Sequence, residues 1–274
     1  MEQRIGTAGW GIPARHGAGF PGAGSHLQRY AGQFTAVEIN SSFHRPHRPA
    51  TYERWAQSVP AGFRFAVKLP REITHTRRLL GTEPVLDRFL AEAGALGPAL
   101  GPLLVQLPPS LAFNAAAAAA FFASLRARFA GAAVCEPRHP SWFGAEVDAL
   151  LSGFAVARVA ADPARVAAAA EPGGWPGLAY YRLHGSPQTY YSGYEPGRLA
   201  TMAAAVAEAA RRGPVWCIFD NTGRGEAAAN ALDLRGLCQQ LAAQEGGAGE
   251  GEAPGRVHAA ADADPAPGND PGRG

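Results

Sequence analysis

The sequence predicts an α/β protein folded as a single (β/α)8 TIM barrel, and three observations lead to this prediction. Short apolar segments alternate with helix-length segments eight times in about 244 residues, which favours a parallel sheet covered by helices. The composition, 47% apolar and 18% charged, is sufficient for a full core. The length matches the ~250 residues that such a barrel uses. A doubly wound open sheet is the alternative, and the lack of a GxGxxG motif after the first strand disfavours it.

Eight short segments have the composition of strands, because they are apolar and are bounded by Gly, Pro or polar residues. They are Arg4–Ala8, Ala36–Asn40, Arg64–Leu69, Leu103–Leu107, Ala133–Pro137, Ala155–Ala160, Ala179–His184 and Val215–Phe219. The intervals between most of them are long enough for the crossover helix that a parallel connection requires.

Seven segments between or after these strands are predicted to be helices. They are His26–Phe34, Thr51–Ser58, Glu83–Leu96, Ala115–Phe129, Phe143–Leu151, Leu199–Arg212 and Glu226–Gln244. Ser25 and Asn114 precede two of them and are suitable N-caps, because their side chains accept hydrogen bonds from free backbone N–H groups. The alanine run at residues 115–120 has high helix propensity.

The barrel is predicted to span residues 1–244, and residues 245–274 differ from it in composition. This tail has six acidic residues, two arginines, and 19 Gly, Ala or Pro among its 30 residues. It can bury too little apolar surface to order itself, so we expect it to be disordered. The remaining body has 23 basic and 17 acidic residues, a net charge of about +6. This favours an anionic partner, although scattered surface arginines explain it equally well.

The cysteines and the N-terminus predict a cytoplasmic protein. Cys135, Cys217 and Cys238 are odd in number and lack CxxC spacing, which disfavours a disulfide framework and a structural zinc site. The first residues, MEQRIGTAGW, contain no apolar segment of a secretory signal. The uncharged stretch at residues 94–125 contains four prolines, which would break a spanning helix, so we expect no membrane partner. Nothing in the sequence predicts the oligomeric state.

Polar side chains occur at the ends of six predicted strands. Alternation along a strand places Glu38 with Asn40, and Arg182 with His184, on common faces. The last side chains on one face of four further strands are Lys68, Gln106, Glu136 and Asp220. Charges are costly in a packed core but are expected where the carboxyl ends of barrel strands bind a ligand. The pattern therefore predicts a functional site at that end of the barrel.

Seven motifs in this chain together resemble the YecE-like family, a TIM-barrel group classed as domain of unknown function 72. They are GTAGW (6–10), VEINSSF (37–43), FRFAVKLPREITH (63–75), LGPLLVQLPPS (100–110), EPRHPSW (136–142), YYRLHG (180–185) and FDNTG (219–223). The resemblance covers about residues 4–240 and implies the barrel fold, with a relation to sugar-isomerase-like and endonuclease-IV-like barrels. It implies no settled reaction. One departure is His44, which stands where members of the family usually have tyrosine after SSF.

Lys68 is the single lysine among 25 basic residues, and the arginines around it indicate a compositional bias against lysine. As a neutral amine it would act as a Schiff-base nucleophile or a general base, which arginine cannot do. As a cation it would hold a phosphate or a carboxylate. The simpler alternative is that one lysine persisted by chance. We place Lys68 in the site and expect anion binding or charge pairing ahead of Schiff-base chemistry.

Glu38 and Glu136 are predicted to be catalytic, as a general acid and base or as ligands of a divalent metal. In the alternative interpretation each is neutralised by a cation, Glu38 by Lys68 and Glu136 by Arg138 or Arg182. His184 is the fourth predicted catalytic residue. Other histidines also follow strands, but no HxH or HExxH spacing supports a metal site. No cofactor is therefore predicted, and a divalent metal stays an alternative.

Nine further residues are predicted to bind substrate through charge, hydrogen bonds or ring stacking. They are Trp10, Asn40, His75, Gln106, Arg138, Trp142, Arg182, Asp220 and Asn221. The leading hypothesis is an enzyme that acts on a small anionic or polyhydroxylated substrate, such as a sugar phosphate, by acid–base chemistry. Isomerisation and hydrolysis are not distinguished. The alternatives are a nucleic-acid-binding or phosphodiester-processing barrel and a non-catalytic small-molecule sensor.

Overall fold

A computed structural model describes the backbone of residues 2–248 and the side chains of residues 2–244. The last helix continues to Ala248, so the first four residues of the predicted tail are helical. The rest of that tail lies outside the described residues.

Strands occur at all eight predicted positions, and the chain has ten strands in the part described. They are β1 (Gln3–Thr7), β2 (Ala36–Ile39), β3 (Arg64–Lys68), β4 (Leu100–Gln106), β5 (Ala133–Glu136), β6 (Val156–Arg158), β7 (Ala160–Asp162), β8 (Gly173–Gly174), β9 (Ala179–Leu183) and β10 (Val215–Phe219). The sixth predicted strand is divided into β6 and β7 by Val159. The two-residue strand β8 was not predicted.

The strands form two sheets that are parallel except at one edge. The first sheet has the order β1-β10-β9-β7, and the second has the order β2-β3-β4-β5-β6-β8, in which β8 is antiparallel to β6. The sheets meet at two places. A parallel bridge joins Ala8, after β1, to Glu38 of β2, and Val159 connects β6 to β7 while its N–H donates to the Cys135 carbonyl at 2.8 Å.

Eight α-helices cover these sheets in the described residues. They are α1 (His26–Ala31), α2 (Ser41–His44), α3 (Pro49–Gln57), α4 (Glu83–Ala93), α5 (Ala115–Arg128), α6 (Ala145–Gly153), α7 (Pro196–Arg212) and α8 (Glu226–Ala248). Both predicted N-caps are present: Ser25 forms a capping box with Gln28, and the Asn114 side chain accepts from the Ala117 N–H at 2.9 Å. No helix among them is long and apolar enough to cross a membrane.

Helices α1 and α4 end three residues earlier than the sequence predicts, at Ala31 and Ala93, and α2 was not predicted. The segment α4 gives way after Ala93 to a 3₁₀ turn, Gly94–Ala99, because Gly97 has a φ of 54° and is followed by Pro98. Between β7 and β9 there is only a short 3₁₀ turn, Ala167–Ala170, together with β8. The buried Arg158 supports this connection by donating to Asp148 and to the Ala168 carbonyl, each at 2.8 Å.

The inward faces of the strands are apolar at the amino ends and charged at the carboxyl ends. Ten buried apolar residues from both sheets form one inner cluster: Ala36, Ala66, Leu104, Val134, Ala157, Val159, Leu178, Tyr180, Trp216 and Ile218. Six of these residues lie two positions before a polar side chain that the sequence placed in the site, namely Glu38, Lys68, Gln106, Glu136, Arg182 and Asp220. Because side chains two residues apart share a face, these polar groups lie directly beyond the apolar inner cluster.

Candidate functional site

Six charged or titratable side chains converge at the carboxyl ends of the strands. This strand-end cluster consists of Glu38, Lys68, Glu136, Arg182, His184 and Asp220, all of them buried. They come from both sheets, and ion pairs or shared electrostatic interactions connect every member to Arg182 or Glu136. The face predicted from strand alternation is therefore the face on which these groups meet.

Arg182 lies at the centre of the strand-end cluster with no exposed surface. Its Nε and Nη2 donate to the two oxygens of Glu38 at 3.0 and 2.7 Å, a forked arrangement that fits a carboxylate. Its Nη1 donates to Glu136 Oε2 at 2.6 Å, and Nη2 also donates to Asp220 Oδ2 at 3.0 Å. One guanidinium thus neutralises carboxylates from three strands.

Two of the carboxylates, those of Glu136 and Asp220, stay ionised because the neighbouring cations outweigh the effect of burial. Burial raises the pKa of Glu136, but Arg182 and Arg138 lower it further, so that it lies well below its usual range. Asp220 behaves in the same way: burial raises its pKa, and Arg182 and His184 bring it below the ordinary value. At physiological pH both side chains are therefore carboxylates, which accept hydrogen bonds but cannot donate them.

Tyr180, a member of the inner apolar cluster, donates the third hydrogen bond that Glu38 accepts. Its hydroxyl donates to Glu38 Oε2 at 2.9 Å, and both residues are fully buried. Burial and the adjacent Glu38 raise the pKa of Tyr180 well above its ordinary value, so the phenol keeps its proton. The sequence analysis did not include Tyr180. Its position two residues before Arg182 on the same strand face was the signal that could have identified it.

His184 connects the two remaining carboxylates. Its Nε2 lies 2.8 Å from Glu136 Oε1, and its Nδ1 lies 3.0 Å from Asp220 Oδ2, so an N–H at either position donates to a carboxylate. Arg138 Nε donates to the same Glu136 oxygen at 3.0 Å. Tyr190 packs edge-on against the His184 ring with centroids 5.7 Å apart. The Tyr190 hydroxyl is also hydrogen-bonded to Arg138.

Lys68 is the exception within this cluster. It is 8% exposed, yet in the part of the chain described here its ammonium forms no hydrogen bond and no ion pair within 4.0 Å. Its Nζ lies 4.2 Å from the centre of the Phe43 ring. Burial, and then the positive charge of Arg182, lower the pKa of Lys68 to about 8, although Glu38 and Glu136 oppose the shift. The predicted neutralisation of Glu38 by Lys68 is not found, because Arg182 takes that place.

Three other predicted residues lie beside the cluster and reach solvent. The Asn40 amide donates to Asp220 Oδ1 at 3.2 Å, and its own Oδ1 is buried without a partner. The side chain of Gln106 is 8% exposed and has no hydrogen-bond partner among the described residues. His75 Nδ1 lies 2.9 Å from Thr74 Oγ1, and burial, followed by Lys68, lowers its pKa to about 4. Its imidazole is therefore neutral at physiological pH.

Three further predicted substrate-binding residues make ring contacts or hydrogen bonds within the protein. The indole of Trp142 is buried and donates to the Leu111 carbonyl at 2.9 Å. Trp10 packs edge-on against Trp55, with ring centroids 5.0 Å apart. The amide of Asn221 donates to the Ser192 carbonyl at 3.0 Å and thereby fixes the loop that follows β9. His44, the departure noted after SSF, is exposed and contacts the Phe43 ring edge-on.

The carboxylates of the cluster are not arranged as a metal site. Among the residues that the structure describes, no group of three or more His, Cys, Asp or Glu side chains could hold a metal ion. The reason is that the Arg182 guanidinium fills the space between Glu38, Glu136 and Asp220. The three cysteines are free and buried, and burial raises the pKa of Cys135 and Cys217, so these thiols are unreactive.

The cluster has two levels of accessibility, which determine what each group can do. Glu38, Glu136 and Arg182 have no exposed surface, and every one of their charged atoms has a partner. Lys68 and Asp220 are 8% and 7% exposed, so both are within reach of a small molecule. The fully buried groups, Glu38, Glu136 and Arg182, connect the strands electrostatically, and the amine of Lys68 and the carboxylate of Asp220 are the charged groups of the cluster that reach solvent.

Comparison with known proteins places this chain in a family. Residues 4–254 match the family model described as "Protein of unknown function DUF72". Over 82 residues the chain is 32% identical to the UPF0759 protein YecE of Escherichia coli strain K12. That match covers 30% of this chain and 30% of YecE, so it spans less than a third of the relative's length.

Two crystal structures of DUF72 family proteins share the fold. The protein from Enterococcus faecalis V583 superposes with a TM-score of 0.74 at 20% identity, covering 86% of this chain and 95% of that one. The protein from Thermotoga maritima MSB8 gives a TM-score of 0.72 at 23% identity, covering 87% and 100%. These findings confirm the resemblance that the sequence motifs indicated. This chain belongs to the DUF72 family.

Proposed function

We propose that this protein is an enzyme with a closed (β/α)8 barrel, which binds a small anionic or polyhydroxylated substrate at the carboxyl ends of the strands. A sugar-phosphate-like molecule is the best match, and acid–base chemistry on it is the proposed reaction class. The observation that carries the proposal is Lys68, a buried cation that forms no hydrogen bond or ion pair with any described residue, beside carboxylates that are all engaged by another cation.

Closure of the barrel is supported by the strand order and by the inner cluster. The bridge between Ala8 and Glu38 joins β1 to β2, and Val159 joins β6 to β7, so each edge of one sheet continues into the other. The inner apolar cluster takes residues from both sheets, as the filled interior of a barrel does. Ligand binding at the carboxyl ends is general for this architecture.

The unpartnered ammonium supports anion binding because a buried charge without a counterion is unfavourable. A phosphate or carboxylate that contacts Lys68 would supply the missing counterion. Arg138, whose side chain is 13% exposed, lies at the same level and offers a second cation. Gln106 and the unpartnered oxygen of Asn40 would then bind hydroxyl groups of the ligand.

Proton transfer is assigned to the accessible groups rather than to the two glutamates. Asp220 reaches solvent and is bonded to His184, which continues to Glu136, so a proton taken from a substrate has a path into the cluster. Glu38 has no exposed surface and accepts three hydrogen bonds, so we give it a positioning role. The cytoplasm, as a reducing compartment, suits the three free thiols.

Thermal unfolding with inorganic phosphate, glucose 6-phosphate and glucose tests the binding step. A ligand at 100 times its dissociation constant stabilises the folded state by about 2.7 kcal/mol, which raises Tm by about 5–10 °C in a chain of this size. We expect a shift with the anions in the wild type and in Arg212→Met, an exposed position on α7. Lys68→Met should lose it. An equal response of both variants, or no response to either anion, contradicts the proposal.

Turnover is tested separately, by ¹H NMR of glucose 6-phosphate incubated with the wild type and with Asp220→Asn in D₂O. Acid–base chemistry predicts new resonances or loss of C–H signals with the wild type, and at least a hundredfold slower change with the variant. Binding without any change in the spectrum would instead indicate a sensor.

Phosphodiester or nucleic-acid binding is a second candidate, favoured by exposed arginines in the loops after β2 and β3. They are Arg45, Arg48, Arg71, Arg77 and Arg78. Affinity for a short DNA duplex would fall by a factor of about a thousand or more between 50 and 200 mM salt if many phosphates were contacted. Binding of a monosaccharide phosphate with a weak dependence on salt favours the first candidate.

A further inference from the structure

We propose that Lys68 is the nucleophile of this site and forms an imine with the carbonyl carbon of an anionic aldehyde or ketone. The substrate class is then a small carbonyl compound that carries a phosphate or a carboxylate. This inference rests on the proposed function, which requires only that an anion binds beside Lys68. It adds a covalent step that the proposed function does not need.

The amine is available because nothing in the described part of the protein competes for it. Arg182 donates to Glu38, Glu136 and Asp220, and thereby takes the carboxylates that would otherwise hold the Lys68 ammonium. The Phe43 ring covers one side of Nζ at 4.2 Å, which limits hydration. A lysine needed only for its charge gains from an ion pair, and this one has none within 4.0 Å.

The composition of the chain adds an independent argument. Of 25 basic residues, 24 are arginine, so a cation in this protein is generally an arginine. The other basic residue of the strand-end cluster is Arg182, and its guanidinium performs the charge pairing. An amine differs from a guanidinium chiefly in that it can lose its proton and attack a carbonyl group.

The electrostatic environment supports the same role. Burial and the neighbouring Arg182 lower the pKa of Lys68 to about 8, against an opposing effect of Glu38, Glu136 and Asp220. At pH 7 about a tenth of such an amine is neutral, whereas an ordinary lysine is neutral in about one molecule in 3,000. A desolvated lysine beside another cation is a recognised way to activate this nucleophile.

The chemical step balances without any further reactant. The Nζ lone pair attacks the carbonyl carbon, the C=O π electrons move to oxygen, and a carbinolamine forms after one amine proton has moved to that oxygen. The C–O bond then breaks as a C=N bond forms, and both amine protons leave with the oxygen as water. Asp220 interacts electrostatically with Lys68 and is bonded to His184, so it can carry these protons. The Gln106 amide is free to bind the oxygen.

Reductive trapping tests this proposal directly. The folded protein is incubated with glyceraldehyde 3-phosphate or pyruvate and sodium cyanoborohydride, which adds hydride to the C=N bond and leaves a stable secondary amine. Because Lys68 is the one lysine in the sequence, peptide mapping by mass spectrometry has to distinguish only two amines, that of Lys68 and the terminal amine. We expect labelling of Lys68 at least tenfold faster in the folded protein than in protein unfolded by urea. Lys68→Arg should show no label in that peptide.

Glycerol 3-phosphate is an anion without a carbonyl group, so it distinguishes failure of the imine proposal from failure of the proposed anion binding. If it raises Tm in the wild type but not in Lys68→Met, and neither carbonyl probe labels Lys68, anion binding stands and the imine proposal is overturned. If glycerol 3-phosphate and both carbonyl probes leave Tm and Lys68 unchanged, the proposed function fails as well. Labelling of Lys68 at equal rates in folded and unfolded protein also overturns the imine proposal.

Discussion

Replacing Arg182 with methionine removes the single cation that neutralises three buried carboxylates. Methionine keeps much of the length of the side chain but donates no hydrogen bond. In the variant, Glu38 loses two donors, and Glu136 and Asp220 lose one each. Glu38 and Glu136 cannot turn to bulk water, because they have no exposed surface, and Asp220 is only 7% exposed.

The expected loss of stability is large. Removing one partner of a buried ion pair costs about 3–5 kcal/mol, because the other charge is left unpaired. Arg182 pairs with three carboxylates, so we expect about 5 kcal/mol at pH 8. Taking a urea m-value of about 3 kcal/mol/M, this lowers the unfolding midpoint by about 1.5 M. Such a loss is a third or more of the ~5–15 kcal/mol that stabilises a typical domain.

The loss should depend on pH with a defined sign. In the wild type the pKa values of Glu136 and Asp220 lie below their ordinary values, so their contribution is complete above about pH 5. Without Arg182, burial raises these pKa values above those of the unfolded chain. A raised carboxyl pKa gives stability at low pH that is lost as pH rises. The variant should therefore be closer to the wild type at pH 5 than at pH 8.

Urea unfolding followed by circular dichroism at pH 5 and pH 8 measures both quantities. The double variant Glu38→Gln, Arg182→Met removes one unpaired charge and should recover at least about 2 kcal/mol of the loss at pH 8. It also keeps the prediction testable if the single variant does not fold. A loss below about 1 kcal/mol at pH 8, or an equal loss at both pH values, would refute the assignment of Arg182 as the central counterion.

Three further substitutions test other parts of the structure. The pKa of Lys68 is lowered from 10.5 to about 8, so the stability of the wild type relative to Lys68→Met should rise by about 2 kcal/mol from pH 7 to 9.5 in urea unfolding. Tyr180→Phe removes the hydroxyl that donates to Glu38 at 2.9 Å and should lower stability by about 1.5–3 kcal/mol. Gly6→Ala places a Cβ against a backbone carbonyl of β2 and should lower the free energy of unfolding by about 1–3 kcal/mol or more. The control Gly11→Ala, which has open space around its Cβ, should change Tm little.

The sequence predicted the strands and the face on which the site residues lie, because alternation along a strand is a local property. The positions of Glu38, Lys68, Glu136 and Arg182 on one face all follow from counting residues by two. The division of the sixth strand at Val159 did not follow, since the chain on both sides of it is similarly apolar. That division depends on which neighbouring strand is near enough to pair.

Ion pairing within the site could not be derived from the sequence. Two cations and three carboxylates share the face, and strand parity does not say which charges meet across the space between the sheets. The structure pairs Arg182 with all three carboxylates because its five N–H donors point in several directions, whereas an ammonium is a compact charge. The orientation of Trp142 is open in the sequence for a related reason: a tryptophan after a strand can face either the ligand or the core, and here its N–H donates to the Leu111 carbonyl.

The contrast between Arg182 and Lys68 separates what maintains the fold from what serves function. Every charged group that Arg182 contacts is satisfied, so its burial is compensated within the protein. The burial of Lys68 is only partly compensated by the nearby carboxylates, and a pKa lowered from 10.5 to about 8 corresponds to about 3 kcal/mol of unfavourable free energy at neutral pH. Lys68→Met should accordingly stabilise the free protein at pH 7, and the proposed function predicts that it also removes anion binding. A side chain whose loss improves the fold and removes a ligand would be retained for that ligand, and it is this combination at Lys68, rather than the larger and better connected network of carboxylates, by which the proposal identifies the site.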